Sequence, residues 1–572
     1  MPTHKGGLVT RKTLAGRLLA LLVALMLVAA ACGSDSDSGD ESSSDTTAGT
    51  DDTAAPDTQA GGDFIDLGTF VGDPPEHIDP ALNVTLDAYQ VISAMYDGLT
   101  DIDASDPANP KVVPDVAESY EANEDATVWT FKIRDNQVFS NGEAITPTTF
   151  LDSWNRAASL AGDYSYLMGF IEGGEDVVNG DADSISGVEA DDENMTLTVT
   201  LSEPYSNFDA VAGFQLFFPM PSEAMGADAA DYENGLMVGN GPYSLAEPRT
   251  DEQIVITKND AWDGDFNDET FPDRLDQITF VTTADPDTAY NSFEAGEGDD
   301  ANIPPARTQE AQENYGTTLD VPILGSYHFV FNLEDPTVGG DENLLFRQAV
   351  SQAIDRDEIN EAVYDGSRTT STGVTPEGIP GFKADLCDYC SYDPEAAQAA
   401  FEEWTAAGNE QSEPMPIQFN RDAGHEPVAQ IMVDNLAAIG IDAVAEPMDS
   451  ETYFSDLADG ACVFCRAGWF ADYPTYDNFM YDLFHSDSLG GNNYGFSNEE
   501  FDSLVDEAKA TVDKDAQAEL FQQAEQILLN DQIGVVPINW YRGDYAYGDD
   551  VAVFPQSNFG LIAWEQVAFA AE

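Results

Sequence analysis

At 572 residues the chain is too long for one simple core, so two or more lobes are expected. Its 42 % hydrophobic and 10 % aromatic content is enough to fold, but 107 acidic residues against 21 basic ones leave a formal net charge of -86. Such a surface repels nucleic acid and anionic membrane, and it fits a saline medium in which screening removes the self-repulsion.

The N-terminus reads as a targeting segment. Lys5, Arg11, Lys12 and Arg17 precede an apolar run from Leu18 to Ala31 that is too short for an ordinary spanning helix. The run ends in Leu27-Val-Ala-Ala-Ala-Cys32-Gly-Ser, small residues before a cysteine as in a bacterial lipobox, with Ala29 where leucine is usual. Residues 1–31 are therefore expected to be a lipoprotein signal and Cys32 the lipidated first residue. Residues 32–62 are rich in Ser, Asp, Thr, Gly and Ala and are expected to form a disordered tether. The protein is then extracytoplasmic, held by lipid at the outer face of the cell membrane.

Four further cysteines form two pairs, Cys387-Asp-Tyr-Cys390 and Cys462-Val-Phe-Cys465. Paired C-x-x-C units also mark zinc sites, but these lie much farther apart than in compact zinc modules. Export favours disulfides, within or between the pairs. Five histidines in the whole chain argue against a histidine-rich metal centre. No metal or cofactor is expected.

From about Phe64 the chain reads as globular. Thr69 to Pro80 is proline-punctuated and extended, and Leu86 to Leu99 has helical apolar spacing closed by Asp97-Gly98. Val128 to Arg134 and Met195 to Leu201 alternate as strands, with a turn at Asn141-Gly142 between them. Thr146-Pro147 opens a helix running through Trp154 and Arg156. Later, Asp393-Pro394 caps a helix ending near Gly408. Pro416 to Phe419, Ala429 to Ile439 and Gly440 to Ala445 give strand, helix, strand, an α/β unit. A capping box at Ser497-Asn-Glu-Glu500 opens another helix, Lys514 to Leu529 is a second, and Val535 to Arg542 is a strand.

Several of these stretches, in this order, carry a resemblance. Ala117-Glu-Ser-Tyr120, Trp129-Thr-Phe-Lys-Ile-Arg134, Val138-Phe-Ser-Asn-Gly142, Val238-Gly-Asn-Gly-Pro-Tyr243 and Phe346-Arg-Gln-Ala349 lead to Arg466-Ala-Gly-Trp-Phe-Ala-Asp-Tyr473. Together they resemble family 5 of the extracytoplasmic solute-binding proteins, the oligopeptide and dipeptide type that serve ABC importers. The resemblance implies an α/β, two-lobed periplasmic-binding-protein (Venus flytrap) fold with an additional strand-rich subdomain in the first lobe. Lobe 1 would comprise 63–96, 232–324 and 543–572, the subdomain 97–231, and lobe 2 residues 325–542. The implied partners are a peptide ligand and the permease and ATPase subunits of an importer.

Taken alone, Arg466 to Pro474 would pass for a strand end with core aromatics. An indole beside a carboxylate also suits a ligand that has an apolar face and an ammonium group. By the resemblance, Asp472 holds the peptide α-ammonium, and Gly468, Trp469 and Phe470 pair with peptide backbone. Val84, Thr85 and Leu86 do the same from the opposite side. Arg466 and His425 stand at positions that meet peptide carboxylates; apart from the resemblance, a buried Asp–ammonium pair needs further hydrogen bonds, which backbone groups and Tyr473 are expected to supply. The resemblance implies that the family's arginine is replaced near Ala458 and its pocket tryptophan near Ser450, and that Phe470 stands in place of a cysteine. These departures keep a non-peptide solute open, such as an oligosaccharide or a metal chelate. An exported hydrolase is a third alternative, but the chain has no H-E-x-x-H, no G-x-S-x-G and no P-loop.

Overall fold

The computed structural model describes residues 58–571 apart from 108, 268, 422–423, 451, 459 and 489–493, and it leaves the side chains of 454 and 458 undescribed. The expected signal, Cys32 and most of the tether lie outside these residues, as does the side chain of Ala458. Where the tether was expected to continue, residues 58–62 are instead built into the fold. Thr58 bridges Ala570, and the Gln59 amide donates to the Phe569 carbonyl at 3.0 Å. Small polar residues need no apolar surface to be ordered when a strand end supplies their hydrogen bonds.

The first sheet has seven strands, in the order Gly316–Thr317, Tyr545–Tyr547, Asp300–Asn302, Asp63–Asp66, Gln277–Val281, Gln253–Lys258, Tyr243–Leu245. Three separate stretches of chain thus share one sheet, in which Asp63–Asp66 runs parallel to Gln277–Val281. Phe64, Ile278, Phe280 and Trp564 are buried beneath it, and the Trp564 ring meets the Phe64 and Phe280 rings edge-on at 5.7 and 5.2 Å. Their apolar area is the main stabilising contribution here.

In the chain, a four-stranded antiparallel sheet falls between Asp63–Asp66 and Tyr243–Leu245, ordered Ala117–Ala122, Val128–Ile133, Thr196–Thr200, Val188–Asp191. The alternation in Val128–Ile133 buries Trp129, Phe131 and Ile133. The helix Pro147–Leu160 packs nearby, with Thr146 and Thr149 forming a reciprocal cap. Its Arg156 forms an ion pair with Asp79, both side chains being almost wholly buried.

The second sheet has six strands, ordered Thr369–Thr370, Val535–Arg542, Pro322–Phe331, Phe464–Phe470, Met415–Asn420, Ala443–Met448. The last two run parallel and are joined by the helix Glu426–Ala438, the expected strand–helix–strand unit. The chain enters this sheet between Thr317 and Pro322 and leaves it between Arg542 and Tyr545. The two crossings are tied together: the Gly543 amide donates to the Val321 carbonyl and the Thr318 amide to the Tyr545 carbonyl, each at 3.0 Å. The architecture is therefore two-lobed and α/β, with a strand-rich subdomain inserted in the first lobe.

Four boundaries differ from the periodicity. The first helix is Leu86–Met95 and stops short of Leu99, because Tyr96 turns extended and the Gly98 and Leu99 carbonyls accept from Val116 and Ala117. The expected capping box at Ser497 does not form; Asn498 caps the helix Glu499–Ala510 instead, accepting from the amides of Glu500 and Phe501. The helix from Lys514 is α-helical to Gln526 and widens to a π turn over Ile527–Asp531. The strand expected from Gly440 starts at Ala443, since Gly440 sits at φ +91° as the turn after the helix.

Candidate ligand-binding cleft

The organising strand is Phe464–Phe470. Along one edge it pairs antiparallel with Pro322–Phe331, from Phe464↔Phe331 to Phe470↔Gly325. Along the other edge, Met415–Asn420 meets it only at Gln418↔Cys465. From Arg466 onward that edge therefore has no strand beside it among the described residues. In an antiparallel ladder the amide and carbonyl of one residue point the same way, and alternate residues point oppositely. The Ala471 amide donates inward to the Leu324 carbonyl at 2.7 Å, and the Arg466 carbonyl accepts outward from the Tyr453 hydroxyl at 2.6 Å. Gly468 and Phe470 consequently present their backbone groups on the open edge.

This edge borders a cavity of about 210 Å³. Val84, Thr85, Leu86 and Tyr89 line it from the first lobe, Tyr164, Phe214 and Gln215 from the subdomain, and Gly468, Trp469, Phe470, Ala471 and Asp472 from the second lobe. Seven of the residues expected from the sequence thus meet on one wall or the other. Val84 is 48 % exposed, and Phe470 is 42 % exposed while stacking on Tyr541 at 4.6 Å, so both offer apolar surface to a ligand.

Asp472 is half-buried and has no ion-pair partner among the described residues. Its Oδ1 accepts from the Tyr164 hydroxyl at 3.0 Å and its Oδ2 from the Asn478 amide at 3.3 Å. Burial pushes its carboxyl up to about 6, against the lowering effect of the Asn478 and Tyr164 hydrogen bonds. A ligand ammonium would supply the charge this carboxylate lacks.

The structure does not bring Tyr473, Arg466 and His425 to this wall. Tyr473 is buried and donates to Asp482 Oδ2 at 2.7 Å. The Arg466 guanidinium stacks 5.2 Å over the Tyr327 ring, and the hydroxyl of the same tyrosine meets His425 Nδ1 at 3.1 Å. Burial first, and the Arg466 charge second, push His425 down to about 3, so its imidazole is neutral and offers no cation to a carboxylate. The exposed Ser450 hydroxyl donates to the Arg421 carbonyl, also away from the cavity.

A second cavity of about 400 Å³ adjoins the first through Leu86 and Phe470. Its lining includes Asp87, Tyr364, Arg368, Tyr541 and Asp544. Arg368 lies 4.9 Å from the Tyr541 centroid and 5.4 Å from that of Tyr364. Neither Arg368, Tyr164 nor Asn478 was singled out from the sequence. Arg368 and Tyr164 come from distant segments, whereas Asn478 lies only six residues beyond Asp472, and no local pattern marks any of the three.

The cysteines lie as two close pairs, Cys387 with Cys390 and Cys462 with Cys465, at Cα separations of 5.5 and 6.0 Å. Among the described residues no cluster of His, Cys, Asp or Glu is arranged to hold a metal ion.

Residues 111–491 match the family described as Bacterial extracellular solute-binding proteins, family 5 Middle. The dipeptide-binding protein DppE of Bacillus subtilis is 25 % identical over 502 residues, covering 85 % of this chain and 89 % of its own. Among solved structures, the Escherichia coli murein tripeptide binding protein MppA superposes with a TM-score of 0.74 at 23 % identity, over 90 % of this chain and all of its own. The Haemophilus influenzae OppA complex with RPPGFSPFR gives a TM-score of 0.69 at 25 % identity, again over 90 % of this chain and all of that one. With most of its length matched and a cleft between two lobes, this chain belongs to family 5 of the bacterial extracellular solute-binding proteins.

Proposed function

We propose that the chain is the extracytoplasmic substrate-binding lipoprotein of an ABC importer, anchored through Cys32, that captures peptides between its lobes and delivers them to the permease. The observation that carries this reading is Asp472, a carboxylate with no ion-pair partner among the described residues, on the cavity wall beside an open strand edge. The edge offers backbone hydrogen bonds common to all peptides, in the manner of strand addition, and the carboxylate fixes the amino end. Peptide-binding relatives support the same ligand class. Lobe 1 is read as 63–96, 232–324 and 543–572, the subdomain as 97–231 and lobe 2 as 325–542; the second boundary falls at the crossing after Arg542, while the first lies just past the crossing, since residues 322–324 already belong to the second sheet. Each C-x-x-C closes on itself as a local disulfide, since both Cα separations suit a bridge.

The test is thermal stabilisation by di- to pentapeptides, compared with oligosaccharides and metal chelates. A ligand that binds only the native state raises the melting temperature in proportion to its occupancy. Peptides are expected to stabilise and the other two classes not. Stabilisation by sugars or chelates alone would replace the peptide reading.

A further inference from the structure

Asn478 lies directly behind Asp472, and its role rests on the peptide reading of that carboxylate. Asn478 is wholly buried in the first turn of the helix Asp477–Phe484. Its amide uses all the hydrogen-bonding capacity such a group has, two accepted and two donated bonds. Oδ1 accepts from the Trp469 indole N–H and from the Asp472 backbone amide, each at 3.0 Å. Nδ2 donates to Asp472 Oδ2 at 3.3 Å and to Asp482 Oδ2 at 2.8 Å. Trp469 and Asp472 are the flat wall and the charge of the cavity. Asp482 is buried, and its Oδ1 has no hydrogen-bond partner among the described residues.

We propose that Asn478 is the positioning residue of the ligand-amine subsite: one amide sets the Trp469 indole and the Asp472 carboxylate in fixed relation and links Asp472 to the buried Asp482. A neutral amide suits the place, because it donates to two carboxylates without adding charge between them. The surroundings are otherwise acidic or phenolic. Tyr164 donates to Asp472, Tyr473 donates to Asp482, and Asp477 is held by Tyr205 and Asn207. Tyr166 is influenced by both Asp472 and Asp482. Two cations lie nearby: Lys509, 3.3 Å from the Tyr481 ring centroid, acts on Asp477 and Asp482, and Lys514, which donates to Asn207 Oδ1, acts on Asp477. An aspartate at 478 would set a third carboxylate against two and hold Asp472 protonated to higher pH. A serine would release both the indole and the carboxylate.

The test uses the full-length protein with tri-alanine and N-acetyl-tri-alanine, titrated calorimetrically from pH 5 to 8. For Asn478→Asp, the pH at which tri-alanine binding is half lost should rise by about one unit or more, while the acetylated peptide, whatever its affinity, shows no such displacement. For Asn478→Ser, tri-alanine should bind roughly tenfold more weakly, with a smaller loss for the acetylated form. Equal weakening of both peptides at every pH, with no displaced midpoint, would mean a purely structural residue and overturn the proposal. If the wild type binds neither peptide, the peptide reading fails and the ligand-free protein decides. The melting-temperature profile against pH, taken as the difference between each protein and its Asp472→Asn derivative, isolates the Asp472 titration. Its displacement by Asn478→Asp upholds the positioning role, and an unmoved profile ends it.

Discussion

Acidification through pH 6 should release a free-amine peptide from this protein. Asp472 titrates at about 6 in the empty cleft, and a ligand ammonium is held by its ionised form. About nine-tenths of the carboxyl is ionised at pH 7 and about one-tenth at pH 5. Affinity for tri-alanine should therefore fall about tenfold per pH unit below 6, until the lower value Asp472 adopts in the complex is reached. The sign for stability is opposite. The folded-state value is raised above 3.8, so the native state holds a proton that the unfolded chain releases, and Asp472 burial lowers stability as pH rises from about 4 to about 6. Asp472→Asn should accordingly raise the stability of the empty protein at pH 7 by about 1–2 kcal/mol. The same change should weaken tri-alanine binding by about 2–3 kcal/mol, roughly 30- to 150-fold, and abolish its pH dependence. Calorimetric titration from pH 5 to 8, at constant high ionic strength and with the N-acetylated peptide as control, reads all of this. A free-amine affinity that is flat across pH 6, or one that changes in step with the acetylated peptide, would refute the role given to Asp472.

Three further outcomes are expected. Arg156→Ala leaves Asp79 buried and uncompensated and should cost about 3–5 kcal/mol, visible as a lowered denaturant midpoint. Arg368→Ala should weaken binding of tetra- and pentapeptides more than of dipeptides, because Arg368 lines the larger cavity and not the smaller; equal affinities across lengths in a calorimetric series would contradict this. Raising sodium chloride from about 0.01 to 1 M shortens the screening length about tenfold and should raise the melting temperature of this -86 chain, whereas a salt-independent value would remove the argument from self-repulsion.

Much of the fold is legible in the sequence because its elements carry their own patterns. Trp129, Phe131 and Ile133 alternate, Thr146-Pro147 and Asp393-Pro394 announce helix starts, and the helix between Pro416 and Ala445 forces a parallel pair. The errors fall where tertiary contacts override a local preference, as at Gly98 and Leu99, whose carbonyls are taken by a neighbouring segment. The wall of the cleft is legible for a related reason: Gly468 to Asp472 are contiguous, so a single stretch carries the strand edge, the indole and the carboxylate. Tyr164 lies 308 residues from the carboxylate it bonds, and nothing near it in the chain signals that meeting. Arg466 and His425 have the right chemistry for carboxylates, but Tyr327 engages both, a matter of side-chain packing that composition does not encode.

The paired crossings between the sheets carry a mechanical consequence. A single flexible connection would let one lobe swivel freely over the other. Two connections laced by hydrogen bonds between Val321 and Gly543 and between Thr318 and Tyr545 resist twisting and leave bending as the soft motion. Gly543 sits in this crossing, where a Cβ would come within 2.3 Å of the Thr318 carbonyl oxygen, and it also lines the larger cavity. The crossing is thus part of the wall, and a ligand filling that cavity would touch the very segment that joins the two halves.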